Sequence, residues 1–245
     1  MNTRHFTACL IGFAALGFQT KADTIVFNYG RQVGDQWGYD VGMDFTVNST
    51  VTVTALGTFD SNIAGLTDPI TTAQINTSLE QGISSGDAPV IQVGIYNVNT
   101  GLEVSPTVKF FYNDPNIASY YAIAGSIFQN ISPFDLGPGT YSIVATGYNY
   151  LLAFGDIYGP YPPTTPTFDT LLGALTLTGD ARVNGTSFGS PPLAFPTDYT
   201  TPESNPDFLA GTFIAHNNVP DGGTTAALLG GALVAVGMVR RQFKK

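Results

Sequence analysis

Between residues 51 and 59, Val51, Val53, Ala55 and Phe59 alternate with Thr52, Thr54 and Thr58. Successive side chains of a strand leave opposite faces, so period-two alternation of β-branched and aromatic residues with small polar ones predicts a half-buried strand. The same pattern returns at 91–96 (IQVGIY), and further strands are predicted at 24–29, 43–47, 107–112, 120–131, 140–148, 171–178 and 211–216. Turn chemistry separates them: Asn99-Thr100-Gly101 reads as a hairpin loop, and Asn113-Asp114-Pro115 and Gly137-Pro138-Gly139 as reversals. No long 3.6-residue period interrupts this series. The sequence therefore predicts an all-β protein whose body, residues 23–218, is a single two-sheet β-sandwich of jelly-roll type. Two stretches stand apart: Thr71 to Gly82 reads as one short surface helix, and the proline-rich run from Ile157 to Pro166 as a loop.

Charge narrows what such a body can bind. Charged residues make up only 11% of the 245 residues, and the net charge is −9. Six of the nine basic residues lie in the two terminal segments. The body keeps Arg31, Lys109 and Arg182 against seventeen acidic residues, a balance of −14. A surface so acidic repels phosphate backbones, which excludes a nucleic-acid partner. The single cysteine, Cys9, lies in the apolar N-terminal stretch, so the body has no thiol for a disulfide, a nucleophile or a metal.

The two ends follow export logic. Arg4 opens a basic stretch, an apolar run from Phe6 to Phe18 follows, and Thr20-Lys21-Ala22 supplies small residues at −3 and −1 of a cleavage site after Ala22. That layout is a signal peptide over residues 1–22. At the other end, residues 224–239 carry no charge; as a transmembrane helix they would span about 24 Å. Arg240, Arg241, Lys244 and Lys245 follow directly and would hold that end in the cytoplasm. The body is then expected outside the inner membrane, tethered by its tail. The Gly- and Ala-rich helix, with Ala226, Ala227, Gly230, Gly231 and Ala232, suits a transient hold better than a permanent anchor.

Val219-Pro220-Asp221-Gly222-Gly223, the apolar helix and the terminal basic cluster together resemble the VPDSG-type variant of the PEP-CTERM sorting signal over residues 219–245, with Gly223 where that variant usually has Ser. The resemblance implies export, cutting near the motif by an exosortase, and release to the cell surface or to an exopolysaccharide- and biofilm-associated matrix. A broader resemblance rests on Leu56-Gly57-Thr58-Phe59-Asp60, Val93-Gly94-Ile95-Tyr96 and Asp135-Leu136-Gly137-Pro138-Gly139-Thr140-Tyr141, which look like a β-sandwich domain common in PEP-CTERM proteins, over about residues 30–215. It implies the fold and the location but no activity.

Candidate chemistry in the body is sparse. Gly185-Thr186-Ser187-Phe188-Gly189 spells the nucleophile-elbow string, and Asp198 or Asp207 and then His216 follow in hydrolase order. The elbow requires a strand, a sharp turn and a helix, whereas Pro191-Pro192 follows Ser187 and favours extended chain. No catalytic role is therefore expected. One body histidine cannot build a zinc site. Calcium needs only oxygen ligands, and Asp60, Asn62 and Asp68 near a strand end offer them, although the same residues serve as ordinary turn formers. Tyr148, Tyr158 and Tyr161, on or beside loops, are candidates for stacking on sugar rings, against the plainer role of strand and loop packing. The expected role is structural or ligand-binding in an extracellular matrix, with a carbohydrate- or calcium-binding module as the alternative.

Overall fold

A computed structural model describes residues 22–28, 40–60, 70–81, 91–147, 167–184, 193–200 and 211–218. Fourteen strands occur among them: β1 (Thr24–Ile25), β2 (Phe27–Asn28), β3 (Asp40–Val47), β4 (Val51–Phe59), β5 (Ile91–Asn97), β6 (Leu102–Glu103), β7 (Val108–Phe110), β8 (Tyr120–Ile123), β9 (Ser126–Leu136), β10 (Gly139–Thr146), β11 (Thr167–Phe168), β12 (Leu175–Asn184), β13 (Asp198–Thr200) and β14 (Gly211–Asn217). One sheet runs β1-β14-β4-β9-β8. A second runs β13-β12-β3-β10-β5-β6, with β7 also on β5, and β11 pairs with β2. The pairs are antiparallel, as expected where turns rather than crossover helices join the strands.

The two sheets share one core. Phe45 of β3 lies 5.1 Å, ring centroid to centroid, from Phe213 of β14, and Phe27 contacts both rings at 6.2 and 6.1 Å. All three phenylalanines are at most 2% exposed. Each contributes about 1.5–3 kcal/mol by leaving water. Met43, Ile95, Ile143, Val53 and Leu56 complete the centre.

The alternation in β4 does not run through unbroken. A bulge between Val53 and Ala55 shifts the register against β9, and β14 shifts between Ile214 and Ala215. An extra residue reverses which face later side chains occupy. Leu56 therefore joins Val53 in the main core, whereas Ala55 faces the other way with Phe128 and Ile214. Gly57 lies beneath the Phe128 ring, where any Cβ would collide with it.

Three predicted strands are redrawn. Residues 120–131 form a hairpin rather than one strand: Ala124 (φ 51°) and Gly125 (φ 79°) both take left-handed backbone, the requirement of a tight two-residue hairpin turn. The 171–178 strand starts late, at Leu175, because Leu171, Leu172 and Gly173 all have positive φ and make a turn. The 24–29 strand breaks at Val26, so that β1 joins β14 while β2 joins β11.

The helix expected over 71–82 is α1, Thr72–Gln81. Thr71 and Gln74 cap it reciprocally. The Gln74 backbone N–H donates to Thr71 Oγ1 at 3.3 Å, and the Thr71 N–H donates to Gln74 Oε1 at 2.9 Å. Ile75 and Leu79, one turn apart, bury its inner face.

The domain has two unlike ends. Register places the β3–β4 turn, the β9–β10 turn and the end of β14 together at one end, joined by short connections. The end of β4, the end of β10 and the starts of β3 and β5 lie at the other. There the chain leaves and re-enters the sheets through its longer connections, 61–90 and 148–166 among them.

Candidate functional site

The short-turn end brings together the first described strand and the end of β14. β1 pairs along the outer side of β14, Thr24 opposite Ala215 and Ile25 opposite Ile214. Asp23, the first residue after the expected signal cut, therefore falls beside His216, with His216 Nδ1 2.7 Å from Asp23 Oδ1. Thr54 Oγ1 donates to Asp23 Oδ2 at 3.1 Å. On the other side of β14, Asn218 Nδ2 donates to Thr52 Oγ1 at 2.7 Å and to Asp135 Oδ1 at 3.2 Å. The Thr52 hydroxyl donates to that same carboxylate oxygen at 2.6 Å, and the Asn218 backbone N–H donates to Thr50 O at 3.1 Å. Ala22 is exposed at this corner. Asp23 and Asn218, far apart in sequence, thus lie at the same end of β14.

A second concentration of polar groups covers the outer face of the seven-stranded sheet. Register puts Asp44, Ser142 and Tyr96 in one row across β3, β10 and β5, and Gly42, Val144 and Gly94 in the next. Asp40 and Thr146 follow at the strand ends. These side chains point away from the core, yet Asp40, Asp44, Ser142, Thr146 and Arg182 are all at most 6% exposed. Arg182 Nε donates to both Asp44 oxygens at 2.7 and 2.9 Å, and Nη2 donates to Oδ2 at 2.7 Å. The guanidinium sits 4.7 Å from the centroid of the Phe195 ring. Tyr96 packs on Phe195 at 5.9 Å and donates its hydroxyl to Leu193 O at 3.2 Å. Residues 193–195, ahead of the edge strand β13, therefore cover this part of the face, and Glu103 with Leu193 fills the space that a side chain at position 94 would need.

Three buried polar atoms here have no hydrogen-bond partner: Asp40 Oδ1, Ser142 Oγ and Thr146 Oγ1. Burial raises the Asp40 carboxyl above its ordinary 3.8. Tyr96 is pushed up to about 12, first by burial and then by the negative charges of Glu103 and Asp40. Among the described residues, no group of three or more His, Cys, Asp or Glu side chains is arranged to hold a metal ion. A groove of about 490 Å³ runs between β7 and β9, lined by Pro106, Lys109, Asn116, Gln129 and Ser132 among others. Its floor is tied by Tyr120, whose hydroxyl donates to Asp114 and is 3.0 Å from Lys109 O.

The residues singled out from sequence fare unequally. Asp60 ends β4 fully buried, its backbone N–H donating to Gly125 O at 2.9 Å, and so does not present an open loop ligand. Asn62, Asp68, Tyr148, Tyr158 and Tyr161 lie outside the described residues, as do Ser187, Asp207, the motif Val219–Gly223 and the basic cluster at 240–245. His216 Nδ1 is taken up by Asp23, and Asp198 sits on β13 in the other sheet. The Asp44–Arg182 pair and the Thr52–Asp135–Asn218 cluster carried no sequence signal, because their members are 83 to 166 positions apart. No helix among the described residues is long and apolar enough to cross a membrane; residues 224–239 are not among them.

No curated protein and no solved structure matches the chain. Residues 218–243 match the VPDSG-CTERM motif. The segment that leaves the sheet at Asn218 is therefore a PEP-CTERM-type C-terminal sorting signal, the mark of a protein exported and sorted to the cell surface or beyond.

Proposed function

We propose that this is a non-enzymatic, exosortase-processed protein of the cell surface or extracellular matrix. A signal peptide over residues 1–22 starts export, residues 224–239 hold the precursor transiently in the inner membrane, and cutting near Val219–Gly223 releases a jelly-roll-like β-sandwich of residues 23–218. The observation that carries this reading is the match over 218–243, which begins one residue after the last strand of the domain ends.

The polarity of the fold supports it. Both terminal junctions sit at the short-turn end, which this reading turns toward the membrane. The strand ends leading to the long connections, where Asn62, Asp68, Tyr148, Tyr158 and Tyr161 lie in sequence, then face outward. That is where a matrix polysaccharide, or calcium bridging an acidic body to it, would be met. Mass spectrometry of the surface or secreted protein tests the sorting step. A C-terminus within or close to 219–223 is expected, and an intact C-terminus at Lys245 would make the tail a permanent anchor.

A further inference from the structure

Asn218 is the last residue before the sorting motif, and its place is set by distant parts of the chain. Thr52 lies 166 positions away and Asp135 83 positions from Thr52; two residues earlier, in β14, His216 meets Asp23 across 193 positions. Closing loops of that length costs more entropy than a few partly exposed hydrogen bonds return. The clamp on Asn218 therefore forms only when β4, β9 and β14 have already assembled.

We infer that the completed fold withholds β14 from the protease that cuts in the sorting motif: the Thr52–Asp135–Asn218 clamp carries the protection of that strand through to Asn218. Residues 211–217 are hydrogen-bonded on both sides, to β4 along their length and to β1 at Ile214 and Ala215. A protease that needs extended, unpaired chain finds none in β14 until the strand peels away. Peeling from the C-terminal end must first break the bonds that Asn218 donates, from its backbone N–H to Thr50 O and from Nδ2 to Thr52 and Asp135. With β14 paired and Asn218 held, cutting at this end cannot run back into the strand, and the released protein has one defined C-terminal end. A chain that has not assembled offers β14 as well and is cut raggedly.

This inference rests on the sorting reading for its biological setting but not for its test. In the native host, the unsubstituted protein should yield a single C-terminus at or beyond Val219. Asn218→Ala, Thr52→Val and Asp135→Ala should each add products ending before Val219. Asp135→Asn, which keeps a side-chain oxygen as acceptor, should restore the single end. Circular dichroism and thermal melts of each variant establish that the sheets persist, so that a shifted end reports position rather than global unfolding. Identical ends in all four variants would overturn the clamp.

If the unsubstituted protein instead keeps Lys245, it is the sorting reading that has failed. The clamp is then tested by limited digestion of the detergent-solubilised full chain with proteinase K. A protected fragment ending at 218–220, which becomes ragged in Asn218→Ala, supports the boundary. A fragment whose end is unchanged in that variant refutes it.

Discussion

Asp44 and Asp23 each meet a basic side chain, in opposite surroundings. The Asp44 and Arg182 side chains are 2% and 3% exposed, on the outer face of the seven-stranded sheet beneath Phe195. The Asp23 and His216 side chains are 47% and 25% exposed, at the corner where β1 meets the end of β14. In the first pair the charges have left water, so each depends on the other. In the second, water and salt compete with the contact, and the pair adds little energy while still fixing which residues lie side by side. The buried pair belongs to the domain as a stable object, and the exposed one to the handling of its ends.

The largest effect should come from breaking the buried pair on one side. Arg182→Ala leaves the Asp44 carboxylate desolvated without its three guanidinium bonds and removes the stacking on Phe195. A loss of about 3–5 kcal/mol is expected in urea unfolding of residues 23–218. The double replacement Asp44→Leu with Arg182→Met sharpens the point: with no charge left unpaired it should cost far less than the single change. A double that is as unstable as Arg182→Ala would show that the pair adds net stability rather than merely avoiding a penalty.

Asp40, in the same sheet, is the case of a buried carboxyl without such a partner. Its pKa is raised by burial, so the folded state prefers the protonated form. A raised folded pKa makes a contribution that is complete below the unfolded value of 3.8 and is lost as pH rises through the folded pKa. Asp40→Asn removes that loss. The variant should be more stable than the parent at neutral pH, with the advantage shrinking as pH falls toward 3.8, as measured by thermal melts across pH. Tyr96 acts in the same direction at the alkaline end. Its pKa of about 12 means that the fold loses stability as pH rises from 10 through 12, and Tyr96→Phe should flatten that decline.

The strands were legible because alternation is local. Val51 to Phe59 and Ile91 to Asn97 announce themselves within a few residues, and the break in the alternation from Thr71 to Gly82 marks α1. Illegible features fall into two kinds. The Ala124–Gly125 turn lacks the Asn-Gly or Asp-Gly that usually signals a hairpin, and the bulge at Thr54 looks like any other threonine in an alternating run. The polar outer face is hidden for a different reason. Asp40, Asp44, Ser142 and Thr146 occupy the alternate positions that an open sheet would give to solvent, and only the cover carrying Leu193 and Phe195 reveals that at least part of this face is roofed. The sorting signal was legible throughout, being linear. Its neighbourhood was not, since the meeting of Asp23 with His216 requires the first strand to lie against the last.

The smallest expected effect closes the comparison. Asp23→Asn keeps the shape and a side-chain oxygen but removes the charge beside His216, and both side chains retain access to water. With His216 protonated, the change should cost about 0.2–1 kcal/mol at low ionic strength and less at 0.5 M salt, where screening weakens an exposed pair. Because β1 also holds β14 through backbone pairing at Thr24 and Ile25, the strand should stay in place. Hydrogen exchange at Ala215 and His216 is the sensitive measurement, since it reads local opening rather than global stability. A modest rise in exchange confined to these residues fits a contact that places the chain end without bearing the fold. A loss as large as that of Arg182→Ala would mean that this exposed corner carries as much of the fold as the buried face, and the contrast between the two pairs would collapse.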